Sequence, residues 1–173
     1  MSLKQSDRIY LVGPMGSGKS TVGKSLALIL SKPFIDLDEE IVFRNKKNIP
    51  KIFEEEGESG FRLKETQALK SVLDKSAVIA TGGGIVVTKE NLDLLANNGL
   101  VIYLSADVTL QYERTLHDNG RPMIYADDRK KRLEDLFRLR KPLYEQIADI
   151  TIDTGSYDVK GCVIKIKDLL CKK

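Results

Sequence analysis

Residues 13–21, with the sequence GPMGSGKST, carry the residue types that hold phosphate groups. They fit the spacing G-x-x-x-x-G-K-[ST], in which glycines let the backbone curl so that successive N–H groups point at phosphate oxygens. Lys19 would bring a full positive charge to the β- and γ-phosphates of a nucleotide, and the Ser20 hydroxyl could ligate Mg²⁺. The predicted ATP-binding residues of this loop are Gly16, Ser17, Gly18, Lys19, Ser20 and Thr21.

The flanks of this loop favour a phosphate site over a glycine-rich turn without a ligand. Before it lies Ile9-Tyr10-Leu11-Val12, a short apolar run typical of a buried strand, and after it residues 22–30 are apolar at helical spacing. A strand, a loop and a helix in this order place the phosphate at a helix N-terminus, which adds partial positive charge.

Four further strand-like runs follow, and helical patterns separate them. This alternation predicts an α/β fold, with a parallel sheet covered by helices on both faces. Pro50 suits the first turn of a helix, Thr88 is a candidate N-cap, and Pro142 interrupts a late helical pattern or marks its boundary. The length suits one domain over residues 1–173. The predicted strands lie at residues 9–12, 33–36, 77–80, 100–104 and 149–152.

Two carboxylates, Asp36 and Asp38, follow the second predicted strand. Ligands of open parallel sheets bind beyond the carboxyl ends of the strands, so both side chains are candidate site residues. Asp36 could face Mg²⁺ through the waters that this ion usually keeps, and Asp38 could face a substrate. Asp38 would equally well cap the helix that begins at Glu39, and the two roles remain open together.

The run Thr81-Gly82-Gly83-Gly84 follows the third predicted strand. Consecutive glycines are entropically costly, and a simple turn needs only one or two of them. Three favour a close approach of another group to the backbone, or N–H groups exposed to a polar ligand. The alternative is a loose connection between a strand and a helix.

Four arginines stand out, and Arg121 is the one whose segment suggests binding to an anion. Arg121 precedes Pro122 within the polar, turn-rich segment at about residues 117–127, which we interpret as a lid. A lid arginine would contact the oxygens of the transferring phosphate, although a surface arginine remains the alternative. Arg114 lies near the end of the preceding helical pattern. For Arg62 and Arg140 the residue type alone favours surface positions.

Charge and hydropathy exclude several functions. The formal net charge is +3 with nearly balanced signs, which argues against a nucleic-acid surface. No apolar run reaches the ~18 residues of a membrane span, and we see no signal peptide. The two cysteines, Cys162 and Cys171, are too far apart along a terminal helix for a disulfide. We expect a cytoplasmic monomer whose partners are small molecules, with neither nucleic acid nor membrane.

Together these segments resemble the shikimate kinase family. They occur in the family's order and at its spacing from about residue 8 to residue 153, which is most of the chain. The P-loop alone is shared with many folds, whereas the whole combination is far more specific. Matching motifs are Gly13–Thr21, Phe34-Ile35-Asp36-Leu37-Asp38, Gly60-Phe61-Arg62, Thr81-Gly82-Gly83-Gly84, Arg121-Pro122 and Arg140-Lys141-Pro142-Leu143-Tyr144.

The resemblance implies a P-loop nucleoside-monophosphate-kinase-like fold with a five-stranded parallel sheet flanked by helices. It also implies a substrate-binding helical region at about residues 38–65 and a closing lid at about residues 117–127. The implied activity is transfer of the γ-phosphate of ATP to the 3-hydroxyl of shikimate, with Mg²⁺ as cofactor, on the route to chorismate and aromatic amino acids.

The resemblance also implies roles for individual residues. Lys19, Asp38 and Arg121 would be catalytic, and Asp38 would orient or deprotonate the attacking hydroxyl. Arg114 would lie against adenine, and Ser20 with Asp36 would hold the metal. The substrate would be bound by Asp38, Arg62, Gly83 and Arg140, the two arginines taking its carboxylate.

Two other functions fit parts of the sequence. Another P-loop small-molecule kinase, such as a gluconate kinase, would share the phosphate loop but has no evident need for the glycine run with this arginine pair. A regulatory protein that binds nucleotide without chemistry predicts damage at Lys19, Asp38, Arg62, Arg121 or Arg140, and all five are intact.

Overall fold

The computed structural model describes residues 7–116 and 128–171, and a five-stranded, fully parallel sheet forms its centre. The strand order is β2-β3-β1-β4-β5, so β1 lies in the middle. Leu11 of β1 is in register with Ala80 on one side and Ile102 on the other. The strands are β1 (Ile9–Val12), β2 (Phe34–Asp36), β3 (Val78–Ala80), β4 (Leu100–Ser105) and β5 (Ile150–Asp153).

Helices cover both faces of the sheet, which confirms the predicted α/β architecture. Every strand predicted from the sequence exists, and its bounds are right to within one residue. A short 3₁₀ helix at Ile85–Val87 follows the glycine run. The helices are α1 (Lys19–Ile29), α2 (Leu37–Asn45), α3 (Ile49–Lys70), α4 (Lys89–Asn97), α5 (Val108–Thr115), α6 (Arg129–Ile147) and α7 (Val159–Cys171).

The core has two layers because successive side chains of a strand point to opposite faces. Tyr10 and Val12 of β1 pack on one face with residues of α2, α3, α4 and α6. Ile9 and Leu11 pack on the other face with α1 and α7. All four side chains are buried, as expected for a central parallel strand with helices on both sides.

Helix α3 is broken in the middle at Gly57. This residue has φ 68° and ψ −175°, a backbone conformation that is essentially restricted to glycine. Apart from its chain neighbours and the backbone of its own helix, no atom of the described residues lies within 4 Å of the position that a Cβ would take, so the conformation alone requires glycine here. The break separates a first segment that follows α2 from a second segment that carries Arg62.

The predicted helix signals have mixed outcomes. Pro50 lies in the first turn of α3, where Asn48 caps the N–H of Lys51 at 2.9 Å. Thr88 occupies the N-cap position of α4, but its side chain makes no capping bond. Pro142 neither ends nor restarts a helix, because α6 runs through it and forgoes one backbone bond, that to the carbonyl of Arg138.

Cys162 is buried, Cys171 is exposed, and both are free thiols. Within residues 7–116 and 128–171, no helix is both long enough and apolar enough to cross a membrane.

Candidate functional site

Three loops meet at one edge of the sheet because β2, β3 and β1 are adjacent and parallel. Their carboxyl ends carry the carboxylate pair, the glycine run and the phosphate loop. A cavity of about 270 Å³ lies among them. From the phosphate loop and α1 it is lined by Gly16, Gly18, Lys19, Ser20 and Thr21. From the other segments it is lined by Asp36, Asp38, Thr81, Gly83 and Arg114.

The phosphate loop has the backbone that an anion cradle needs. Gly16 and Gly18 have φ values of 75° and 84°, in the left-handed region that favours glycine. Lys19 is only 8% exposed, and its Nζ donates to the carbonyl oxygens of Gly13 and Pro14 at 2.9 and 2.8 Å. The ammonium group is therefore held over the loop by acceptors that a phosphate can replace.

Asp36 joins the phosphate loop to the start of α2. Its Oδ2 accepts a hydrogen bond from the Ser20 hydroxyl at 2.6 Å, and its Oδ1 accepts from the N–H of Asp38 at 3.0 Å. Asp36 is thus the N-cap of α2, and the interpretation of Asp38 as the cap is wrong. The chain turns helical at Leu37, directly after β2, which places Asp38 inside the first turn with its side chain at the cavity.

Arg62 is largely buried, with a side chain that is 12% exposed, so its predicted surface position is wrong. Its Nη1 contacts Glu65 Oε2 at 2.8 Å, and its Nη2 contacts Glu58 Oε1 at 3.1 Å. Glu65 is itself only 1% exposed. A buried charge must be paired, and these two carboxylates compensate the charge of Arg62 so that its side chain can be buried.

Arg140 is 5% exposed, so its predicted surface position is wrong as well. Unlike Arg62, it forms no ion pair with any residue that the structure describes, and its buried Nε has no hydrogen-bond partner there. Burial lowers the pKa of Arg140 and the like charge of Arg62 adds to this, whereas Tyr144, Glu65 and Glu58 oppose the shift. The site therefore contains a buried cation whose partner anion is not among the described side chains.

Burial raises the pKa of Glu65, the nearby charge of Arg62 opposes this, and Asp38 adds to it. Burial also penalises the charged form of Arg62, but Glu65 and Glu58 outweigh that effect and its pKa is raised. Glu65 Oε1 has no hydrogen-bond partner within the described part of the chain. Arg62 thus forms the ion pair with Glu65, while the charge of Arg140 favours the ionised form of Glu65 from farther away.

Glycine is favoured in the run at residues 82–84 because side chains of the site lie close to its backbone. None of its three glycines has a positive φ. A Cβ on Gly82 would lie 2.8 Å from Glu65 Oε1 and 3.0 Å from Asp38 Oδ1, and one on Gly84 would lie 2.3 Å from Arg62 Nη2. The predicted close approach is confirmed and the loose-loop alternative is wrong. The approaching groups are charged side chains of the site itself.

Arg114, which also lines the cavity, ties two loops together. Its Nη1 donates to the carbonyl of Gly16 and to Thr154 Oγ1, both at 3.0 Å, and its Nη2 donates to the carbonyl of Thr154 at 2.9 Å. Arg121 and the segment 117–127 predicted as a lid lie outside the described residues.

Sequence reasoning missed Glu65 and Thr154. Glu65 stands three residues after Arg62, a spacing that on a helix brings the two side chains together, but such pairs are common on exposed helix faces. Thr154 follows β5 and is 4% exposed, yet no motif marks it. Its position beyond the carboxyl end of a strand was the one available signal.

A phosphate loop at the carboxyl edge of this sheet, facing buried arginines and carboxylates, defines a P-loop kinase of small molecules. Comparison with known proteins specifies the family. The sequence profile described as shikimate kinase matches residues 15–170. The curated shikimate kinase of Halorhodospira halophila is 47% identical over 164 residues, which cover 94% of this chain and 93% of that protein. The chain belongs to the shikimate kinase family.

Solved structures agree. The shikimate kinase of Acinetobacter baumannii, in complex with shikimate, superposes with a TM-score of 0.93 at 41% identity, covering 97% of this chain and 94% of that one. A gluconokinase from Sinorhizobium meliloti has a TM-score of 0.63 at 18% identity, covering 99% and 94%. That second likeness shows the shared fold alone, and the gluconate alternative is not favoured.

Proposed function

We propose that this chain transfers the γ-phosphate of ATP to the 3-hydroxyl of shikimate. The observation that carries this proposal is the Arg140 guanidinium, which is buried beside the phosphate loop without an ion pair among the described residues. An isolated buried charge is costly, so the site favours a ligand that brings an anion. Shikimate is such a ligand, since it carries one carboxylate on a ring of hydroxyls.

On the substrate side, Arg62 and Arg140 hold the carboxylate. Planar guanidinium groups suit carboxylates because they donate several hydrogen bonds in a fixed geometry. Asp38 accepts from the ring hydroxyls and orients or deprotonates the one that attacks, and Gly83 offers its backbone. The close packing of Asp38 and Arg62 against Gly82 and Gly84 supports this arrangement, because it gives both charged groups fixed positions.

On the nucleotide side, residues 16–21 bind the phosphates, and Lys19 is catalytic through its charge on the transferring group. Arg114 lies against adenine, and its bonds to Gly16 and Thr154 support a place at the far end of the phosphate loop. Phosphoryl transfer requires mainly positioning and charge stabilisation, and this set of residues supplies both.

A magnesium ion fits Ser20 and Asp36. The two side-chain oxygens lie 2.6 Å apart, and hydroxyl and carboxylate oxygens are ligands that this hard cation prefers. Ser20 would ligate it directly and Asp36 through water. When bound, Mg²⁺ would neutralise charge on the β- and γ-phosphates.

Arg121 contacts the transferring phosphate from a lid at residues 117–127, outside the described residues. Residues 38–65 form the substrate-binding region of one domain spanning 1–173. The protein acts as a cytoplasmic monomer on small molecules.

The direct test is an ADP-release assay with Mg-ATP and a panel of acceptors. Shikimate should support turnover, whereas gluconate and nucleoside monophosphates should not, and phosphorus NMR should show a 3-phosphate ester. Turnover on gluconate or on a nucleotide, with none on shikimate, would overturn the proposal.

A further inference from the structure

Tyr144 ends the motif that begins at Arg140, and no role has been assigned to it. It is fully buried, and its hydroxyl donates a hydrogen bond to the carbonyl oxygen of Gly83. It lies four residues after Arg140 on α6, so the two side chains are neighbours on one helix face. The hydroxyl therefore reaches the glycine run from the same helix that supplies Arg140.

We propose that Tyr144 is a positioning residue for the acceptor substrate: its hydroxyl fixes the peptide between Gly83 and Gly84 and thereby the surface on which Arg62 lies. The inference rests on the proposed function for the identity of the acceptor. It does not require Tyr144 to touch the substrate.

The mechanism follows from the planarity of the peptide unit. The carbonyl of Gly83 and the N–H of Gly84 belong to one plane, so a bond to the first fixes the direction of the second. Glycines on both sides would otherwise let this peptide rotate, because neither has a Cβ to restrict it. The Arg62 guanidinium packs where a Cβ of Gly84 would be, so rotation of that peptide would move the surface beneath it.

Tyr144 is itself held firmly. Its ring stacks on Tyr103 with centroids 5.1 Å apart and planes at 23°. It also lines a small cavity of about 10 Å³ with Arg140 and with Pro14 and Met15 of the phosphate loop. A Cβ on Gly83 would lie 3.4 Å from the Met15 nitrogen, so the anchored peptide packs directly on the phosphate loop.

The hydroxyl is a donor at any physiological pH. Burial raises the pKa of Tyr144 well above its usual range, with Arg140 opposing the shift. A protonated phenol is required, because the carbonyl of Gly83 can only accept.

The test compares Tyr144→Phe with Tyr103→Phe. The first variant keeps the stacked ring and removes the anchoring hydroxyl. The second removes a buried hydroxyl that has no hydrogen-bond partner among the described residues, from the other ring of the same stack. Tyr103→Phe therefore controls for the loss of one buried oxygen.

We expect Tyr144→Phe to raise the KM for shikimate by roughly three- to tenfold, the factor that one neutral hydrogen bond typically contributes. The KM for ATP should change less than twofold, and Tyr103→Phe should leave both values unchanged. Equal changes in both KM values, or equal effects of the two variants, would overturn the proposal.

An NMR measurement separates this inference from the proposed function, because it needs no substrate. In the wild-type protein the hydroxyl proton of Tyr144 should exchange slowly and show contacts to residues 83 and 84. The carbonyl ¹³C resonance of Gly83 should shift in Tyr144→Phe and not in Tyr103→Phe. A rapidly exchanging hydroxyl in the wild type, or an unmoved resonance in the variant, would overturn the anchor even if shikimate turnover is normal.

Discussion

At the scale of single residues, the two buried arginines stand in opposite electrostatic settings. Arg62 is balanced by Glu65 and Glu58, whereas Arg140 has no carboxylate partner among the described residues. Removing one partner of a buried pair is strongly destabilising, but removing an uncompensated buried charge is not. Substitution of Arg62 should therefore destabilise the protein more than substitution of Arg140, whereas both substitutions should weaken binding of the acceptor substrate.

We predict that Arg62→Ala lowers the free energy of unfolding by about 3 kcal/mol, because it leaves Glu65 buried and unpaired. Arg140→Leu should leave the free energy of unfolding unchanged or raise it. Both variants should weaken shikimate binding by about tenfold or more, the value of a charge-assisted hydrogen bond, without weakening ATP binding. Denaturant titration and calorimetry measure the two effects, and a strongly destabilised Arg140→Leu would contradict the assignment.

Asp38 gives a second residue-scale prediction. Because Asp36 is the N-cap, Asp38→Asn should hardly change the melting temperature. An amide has one acceptor oxygen and cannot take up the hydroxyl proton, so turnover should fall by ~10²–10⁴-fold with ATP binding preserved. Turnover and melting temperature should be measured on one preparation. Near-normal turnover would remove Asp38 from the catalytic site.

The phosphate loop could be predicted from the sequence because its chemistry depends on fixed spacing along the chain. The burial of Arg62 and Arg140 could not, because it depends on partners brought together by the fold. Glu65 is adjacent in sequence, but only the packing of α3 against the glycine run makes it a buried partner rather than a surface one. Residue type alone therefore predicted exposed positions for Arg62 and Arg140, and both predictions were wrong.

At the scale of elements, the glycine run and α3 have to be considered as a pair. The run follows β3, and the Arg62 and Glu65 side chains of α3 pack against the backbone of the run. Strand positions were readable from apolar runs, because central parallel strands are apolar on both faces. The break of α3 at Gly57 could not be predicted, because a glycine inside a helical pattern usually does not interrupt the helix.

Gly84→Ala tests this packing. Its Cβ would meet Arg62 Nη2 at 2.3 Å, so the guanidinium must move away from its present position. We predict a rise of roughly tenfold or more in the KM for shikimate, as for loss of one charge-assisted bond, with little change for ATP. Gly161→Ala in α7, outside the cavity, is the matched control and should change neither constant. Equal behaviour of the two variants would argue against the steric reason for glycine.

At the scale of the whole molecule, one face of the sheet buries Tyr10, Tyr103 and Tyr144 within the part of the chain that the structure describes. Burial raises the pKa of each, and that of Tyr103 to about 12. A phenol with a raised folded-state pKa holds its proton more tightly when folded, so its contribution to stability is complete below its unfolded pKa of about 10. That contribution is lost as the pH rises towards 12.

We therefore predict that the free energy of unfolding falls steeply between about pH 10 and pH 12. Tyr103 alone accounts for roughly 2–3 kcal/mol of this loss, since each pKa unit corresponds to about 1.4 kcal/mol. Tyr103→Phe should flatten the decline, and denaturant titrations across this range measure it. A decline of identical slope in the variant would show that Tyr103 is not the titrating group.

The central claim is that a substrate carboxylate supplies the anion that Arg140 lacks within the described structure. It is tested most directly by measuring kcat/KM for shikimate and for its methyl ester in the wild type and in Arg140→Leu. The wild type should prefer the free acid by roughly 10–100-fold, and the variant should lose most of that preference, because the ester carries no charge for the arginine to recognise. An undiminished preference in Arg140→Leu would contradict the account.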